Sequence, residues 1–161
     1  MRSRVLITAV VATAALLAAA CGGGSPSTAA ASPSSPAASP AATAATIAVA
    51  TTKLGQILVD GKGLTLYLFV ADTGTSSTCN SSCATVWPPV LTTGAPVAGT
   101  GANASLLGTT TRTDGTTEVT YAGHPLYYFV QDKTAGDTTG QGVNSFGALW
   151  WVLSPSGAAI H

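Results

Sequence analysis

The residue types best able to do chemistry in this 161-residue chain fall in a motif that occurs twice, as Tyr67-x-Phe69-x-x-Asp72 and Tyr127-x-Phe129-x-x-Asp132. Two carboxylates are the starting material for general acid–base work or for holding a hard cation, which makes Asp72 and Asp132 candidate site residues. Each follows its strand-like run directly and precedes a turn-forming stretch, Thr73-Gly74 in one copy and Lys133 to Gly136 in the other. In that setting a carboxylate accepts backbone N–H bonds at the strand end, so turn capping is expected of both aspartates ahead of catalysis. A strand through the motif turns Tyr67 and Phe69 to one face and Leu66, Leu68 and Val70 to the other, and it opposes Tyr127 and Phe129 to Leu126, Tyr128 and Val130 in the same way. Apolar residues on both faces mean either a strand sandwiched between layers or an aromatic binding surface. A paired aromatic core is expected, since aromatics supply much of a small domain's burial.

Thiols and imidazoles are the other reactive groups. Cys79 and Cys83 bracket Asn80-Ser81-Ser82, and His124 sits in the turn Ala122-Gly123-His124-Pro125. Two thiolates with His124 as a third ligand could handle copper or run redox chemistry, which is the competing reading. Outside the cytoplasm a structural disulfide is expected instead, worth only about 2 kcal/mol for so short a loop. The chain holds no C-x-x-C-H haem motif, no second cysteine pair for structural zinc and no G-x-S-x-G elbow. No catalytic residue, cofactor or metal ligand is therefore expected, and the chain is not read as an enzyme.

The N-terminus addresses the chain out of the cytoplasm. Arg2 and Arg4 precede an uncharged run from Val5 to Ala20, which has the layout of a secretory signal and is short for a membrane span followed by glycines and serines. Leu17-Ala18-Ala19-Ala20-Cys21 resembles the lipobox cleaved by bacterial signal peptidase II, although Ala18 stands where a branched apolar residue is usual. Plain secretion after an A-x-A site also fits Ala18 and Ala20. Of the three cysteines, lipid on Cys21 leaves Cys79 and Cys83 as an even pair, and this favours the lipid reading.

Residues 1–20 are thus read as a lipoprotein signal peptide and residues 21–46 as the lipidated cysteine and a disordered tether. Gly22 to Thr46 are all Gly, Ser, Pro, Thr or Ala, with no large side chain to offset the entropy of ordering. Such a chain spans about 25–30 Å end to end, enough to hold a domain clear of lipid headgroups. Only 7% of residues are charged and the formal net charge is zero. With the two N-terminal arginines removed, four basic and six acidic residues remain, a net charge of −2. No basic surplus exists for nucleic acid. The partners expected are the membrane, through the N-terminal lipid, and an unknown envelope protein or small ligand.

Residues 47–161 form the folded unit. All ten aromatic residues lie between Tyr67 and Trp151. Strand-like runs at Leu54 to Val59, Leu64 to Val70, Glu118 to Tyr121, Leu126 to Val130 and Leu149 to Leu153 are separated by turn signals such as Asp60-Gly61-Lys62-Gly63 and Asp114-Gly115, and no window carries a convincing helical stripe. Residues 60–72 match 120–132 without a gap, and a tryptophan segment follows each, Trp87-Pro88-Pro89-Val90 and Trp150-Trp151-Val152-Leu153. The expected fold is all-β: a small single domain of two related β-hairpin repeats packed as a sandwich or barrel.

The twice-stated motif, together with Cys79-x-x-x-Cys83-Ala84-x-x-Trp87-Pro88-Pro89, Arg112-x-Asp114-Gly115, Gly136-Asp137-x-x-Gly140-Gln141 and the Trp150-Trp151 ending, resembles a family of predicted bacterial lipoproteins built from secreted repeats with a Y-x-[FWY]-x-x-D motif. The resemblance spans about residues 54–157. It implies an extracytoplasmic, lipid-anchored location on the bacterial cell membrane and a binding or structural module of the envelope, and it implies no activity.

Overall fold

The structure, a computed structural model, describes residues 43–161. The signal segment, Cys21 and the tether up to residue 42 lie outside the described residues. The first strand, β1 (Thr46–Thr52), pairs antiparallel with β2 (Gly55–Asp60). Thr52 Oγ1 accepts from Leu54 N at 3.2 Å and donates to Gly55 O, which holds this hairpin turn. After the short β3 (Tyr67–Phe69) come one helical turn, α1 (Ser82–Val86), and β4 (Val97–Ala98). A 3-10 turn at Ala104–Leu106 leads into β5 (Leu107–Thr111) and β6 (Thr117–Tyr121), a hairpin whose turn is closed by Asp114 Oδ1 accepting from Thr116 N at 2.9 Å. Gly115 takes a φ of 82° in that turn, a conformation with almost no steric cost only for glycine. The chain ends with β7 (His124–Pro125), β8 (Asn144–Ser145) and β9 (Ala148–Val152).

The described strands form three three-stranded sheets, ordered β2-β1-β4, β3-β9-β8 and β5-β6-β7, and no closed barrel. The expected all-β fold of two repeats is what the chain adopts. The repeats are not side by side, however; they interlock. β3 of the first copy pairs with β9 at the end of the second, matching Phe69 with Trp150 and Tyr67 with Val152. Reciprocally, the second motif lies along the end of the first copy: Val90 N donates to Leu126 O, Tyr128 N to Pro88 O and Val130 N to Val86 O. The predicted strand at Leu126 to Val130 therefore shrinks to isolated bridges. Pro88 and Pro89, which stand where the second copy has Trp151 and Val152, have no N–H to give to a ladder, so a regular one does not form there. At the centre the two motifs meet, with Tyr67 and Tyr127 exchanging backbone hydrogen bonds at 2.9 and 3.0 Å.

Several elements depart from the sequence reading, the two-residue strands β4 and β8 among them. β1 begins one residue before the expected boundary at 47, and Ala45 is already anchored, donating to Thr92 Oγ1. Neither β1 nor β5 was among the expected strands, because their Thr- and Ala-rich runs show little apolar alternation. α1 is a single turn, too short to carry a helical stripe.

Side-chain alternation along β2 and the motif segments splits the interior in two. Ile57, Val59, Tyr67, Phe69, Tyr127 and Phe129 join Trp87 and Trp150 in one core, while Leu58, Leu66, Leu68, Leu126, Val119 and Tyr121 fill the other. The motif segments are thus sandwiched between layers.

Candidate functional site

Both motifs converge on the first core, where the ring stacking and the tyrosine–aspartate bonds cross from one repeat to the other. Phe69, Trp150, Trp87 and Phe129 form a four-ring stack: centroids are 4.1 Å apart for the first pair, 4.0 Å for the two tryptophans and 4.3 Å for the last. Tyr67 meets Trp87 edge-on at 5.4 Å, and Tyr127 meets Trp150 edge-on at 5.1 Å. Both indole N–H groups are satisfied by one residue, Trp87 Nε1 donating to Ser145 Oγ and Trp150 Nε1 to Ser145 O.

The tyrosine hydroxyls are exchanged as well. Tyr67 donates to Asp132 Oδ2 at 2.5 Å and Tyr127 donates to Asp72 Oδ2 at 2.6 Å. The other carboxylate oxygen closes a loop within its own repeat. Asp72 Oδ1 accepts from the backbone N–H and hydroxyl of Thr78 at 2.7 and 2.6 Å, and Asp132 Oδ1 accepts from the same two groups of Thr139. Both aspartates do accept backbone N–H bonds, but from residues six and seven positions on, so they tie off long loops and are not ordinary Asx turns. The aspartates are not brought together as a shared cation site. Burial, reinforced by the adjacent carboxylates, pushes both tyrosine pKa values well above the ordinary phenol value.

Each tyrosine oxygen takes one more partner, and here the two ends diverge. Tyr67 Oη accepts from Gly140 N at 3.2 Å. Gly140 packs so closely that an added Cβ would stand 2.8 Å from the Trp87 ring and 2.9 Å from Tyr67, so only glycine fits. Tyr127 Oη is instead 2.7 Å from Ser77 Oγ. Behind Ser77 lies a buried ion pair, Arg112 Nη1 donating to Glu118 Oε2 and to Ser77 Oγ, both at 2.6 Å. Arg112 Nη2 donates to Cys79 O at 2.6 Å and reaches Asn80 Oδ1 at 3.3 Å. Glu118 is fully buried, and burial raises its pKa to about 7 despite the guanidinium beside it. Among the described residues, Glu118 Oε1 and Arg112 Nε have no hydrogen-bond partner.

Structure sharpens the repeat alignment at this point. Leu66 N donates to Leu58 O, whereas the matching Leu126 N donates to Val119 O, so the second copy's turn is one residue shorter and Glu118 takes the place of Ile57. Sequence reading passed over the Arg112–Glu118 pair, although a signal exists: Glu118 is the chain's only glutamate, and Arg112 is its only arginine beyond the N-terminal head. Alternation along β6 assigns Glu118 to the face opposite Val119 and Tyr121, which reads as solvent until the first repeat covers it.

Cys79 and Cys83 are joined in a disulfide with Cα atoms 5.2 Å apart, and both are buried. His124 lies on β7, paired with Tyr121, and does not join them. Among the described residues no group of three or more His, Cys, Asp or Glu stands where it could hold a metal ion. No helix among them is long and apolar enough to cross a membrane.

A family model described as a secreted repeat of unknown function matches residues 48–91 and 108–154, two copies that together take in more than half of the chain and coincide with the two interlocked halves. Comparison with curated proteins finds no match, and comparison with solved structures finds none.

Proposed function

We propose, on the premise that the chain belongs to this family of secreted repeats, that the protein is a lipid-anchored module of the bacterial envelope, held outside the membrane by Cys21 and acting by binding or scaffolding. One observation carries the non-catalytic part of this reading. The motif's polar atoms are spent on the fold itself: each aspartate accepts from a tyrosine of the other repeat and from its own threonine, at 8% exposure. A carboxylate saturated by three donors and shielded from solvent is a poor acid, base or cation ligand. The aromatic face is likewise consumed by the ring stack, which leaves ligand recognition to the loops and the outer surface.

Anchoring rests on the lipobox-like Leu17 to Cys21 and on the disulfide, which uses the other two cysteines and leaves Cys21 as the odd one. Fractionation of producing cells tests it. Wild-type chain is expected in the membrane fraction through a carbonate wash, since stable anchoring needs more than one acyl chain and an acylated N-terminal cysteine carries two or three. Cys21→Ala is expected in the soluble fraction, and a Cys21→Ala chain that stays with the washed membrane refutes lipid anchoring.

A further inference from the structure

The end of the core around Tyr127 holds more negative than positive charge. Glu118 on β6 and Asp72 after β3 both face the cluster, and among the described residues the one cation facing it is Arg112, just after β5. Asp114, in the β5–β6 turn, stands 3.8 Å from Arg112 Nε but is 57% exposed and looks to solvent. The remaining groups, Ser77, Tyr127, Thr78 and the Cys79 carbonyl, are neutral. A buried group of two carboxylates and one guanidinium carries an uncompensated negative charge, which a low-dielectric interior disfavours strongly.

We propose that Glu118 is an internal proton-binding site, which takes up a proton from solvent to neutralise this cluster and so couples the stability of the repeat pair to the surrounding pH. The hydrogen bonds decide which carboxylate takes the proton. Asp72 accepts three bonds, from Thr78 N, Thr78 Oγ1 and Tyr127 Oη, so both of its oxygens have donors. Glu118 accepts from Arg112 on Oε2, and among the described residues its buried Oε1 has no donor. With Glu118 neutral, Arg112 balances Asp72 through a directed chain, Arg112 Nη1 donating to Ser77 Oγ, Ser77 to Tyr127 Oη, and Tyr127 to Asp72 Oδ2. The opposite end needs no such proton, because Asp132 is fully satisfied and the place of Glu118 is taken there by Ile57.

Burial raises the Glu118 pKa from 4.5 to about 7, which gives the sign of the effect. Between those values the folded chain binds more protons than the unfolded one, so stability falls as pH rises through the window and is recovered in acid. Asp114 and Asp137, held low by hydrogen bonds from Thr116 and from Thr134 and Lys133, titrate below that window.

Because Glu118 is the only glutamate, glutamate labelled with 13C at Cδ reports this one carboxyl in the intact chain. The expected titration midpoint in the folded protein is well above the ordinary glutamate range, between about 6 and 8, and a midpoint below about 5.5 overturns the proposal. Thermal melts from pH 8 to pH 5 supply the second arm. The folded-to-unfolded ratio of the wild type is expected to rise between roughly ten- and a hundredfold on acidification, and Glu118→Gln is expected to flatten that profile. Equal slopes in the two proteins overturn the coupling; if Glu118→Gln does not fold, the carboxyl titration of the wild type decides alone.

Discussion

The two ends of the interlocked core start from the same residues and finish differently. At one end Tyr67 binds Asp132, and its oxygen is completed by the backbone N–H of Gly140 in an otherwise apolar setting beside Ile57. At the other, Tyr127 binds Asp72 and is completed by Ser77, with Arg112, Glu118 and the Cys79–Cys83 loop behind it. The repeated motif therefore demands little of its surroundings: a carboxylate from the other copy and one further partner for the hydroxyl. Either a backbone amide or a side-chain network meets that demand, so the second end can carry titratable groups that the shared architecture does not require.

Removing the shared part is expected to have the largest effect, and an equal one at both ends. Trp87→Ala and Trp150→Ala each delete a ring stacked on two neighbours, at about 3–5 kcal/mol each. Chemical denaturation of the full chain measures this, and a difference of more than 2 kcal/mol between the two would break the equivalence of the ends.

Converting the polar end into a copy of the dry one is expected to act more weakly and with a change of sign. At pH 8, where Glu118 is ionised, Arg112→Thr alone strands its carboxylate and is expected to destabilise by about 3 kcal/mol, the lower range for a broken buried pair. Adding Glu118→Ile installs the residues of the first repeat, Thr52 and Ile57, and is expected to recover most of that loss, because a buried ion pair contributes little beyond what apolar packing supplies. Incomplete recovery would measure what Arg112 adds by binding Cys79 O and Asn80. A double variant less stable than Arg112→Thr would mean that the two ends are not interchangeable.

Smallest are the hydroxyl deletions. Tyr67→Phe and Tyr127→Phe keep the ring packing and remove one donor to a buried carboxylate, at about 1–3 kcal/mol each. Melting temperatures near pH 5, where Glu118 is neutral, are expected to fall equally for both. At pH 8 the Tyr127→Phe variant is expected to lose more, because Asp72 and the ionised Glu118 then face each other without the hydroxyl relay between them.

Much of this fold was legible in the chain. The run Leu66-Tyr67-Leu68-Phe69, apolar on both faces, pointed to a strand between two layers or to an aromatic binding surface, and the turns marked by Asp60 and Asp114 are where the chain reverses, each carboxylate accepting from a backbone N–H there. What could not be read was partnership across the repeat. Phe69 pairs with Trp150 across 81 residues and Tyr67 with Asp132 across 65, and no local period records such distances.

By itself the sequence determined the strand-rich class, the duplication, the odd number of cysteines and the scarcity of charge, because these follow from composition and from a side-chain period of two. Tertiary structure alone decided that the copies exchange their tyrosines and tryptophans, that Pro88 and Pro89 interrupt the second ladder, and that Glu118 points inward. The reason is burial. Whether a strand's second face meets water or another layer depends on where the other repeat lies, and that is settled by packing between residues far apart in the chain.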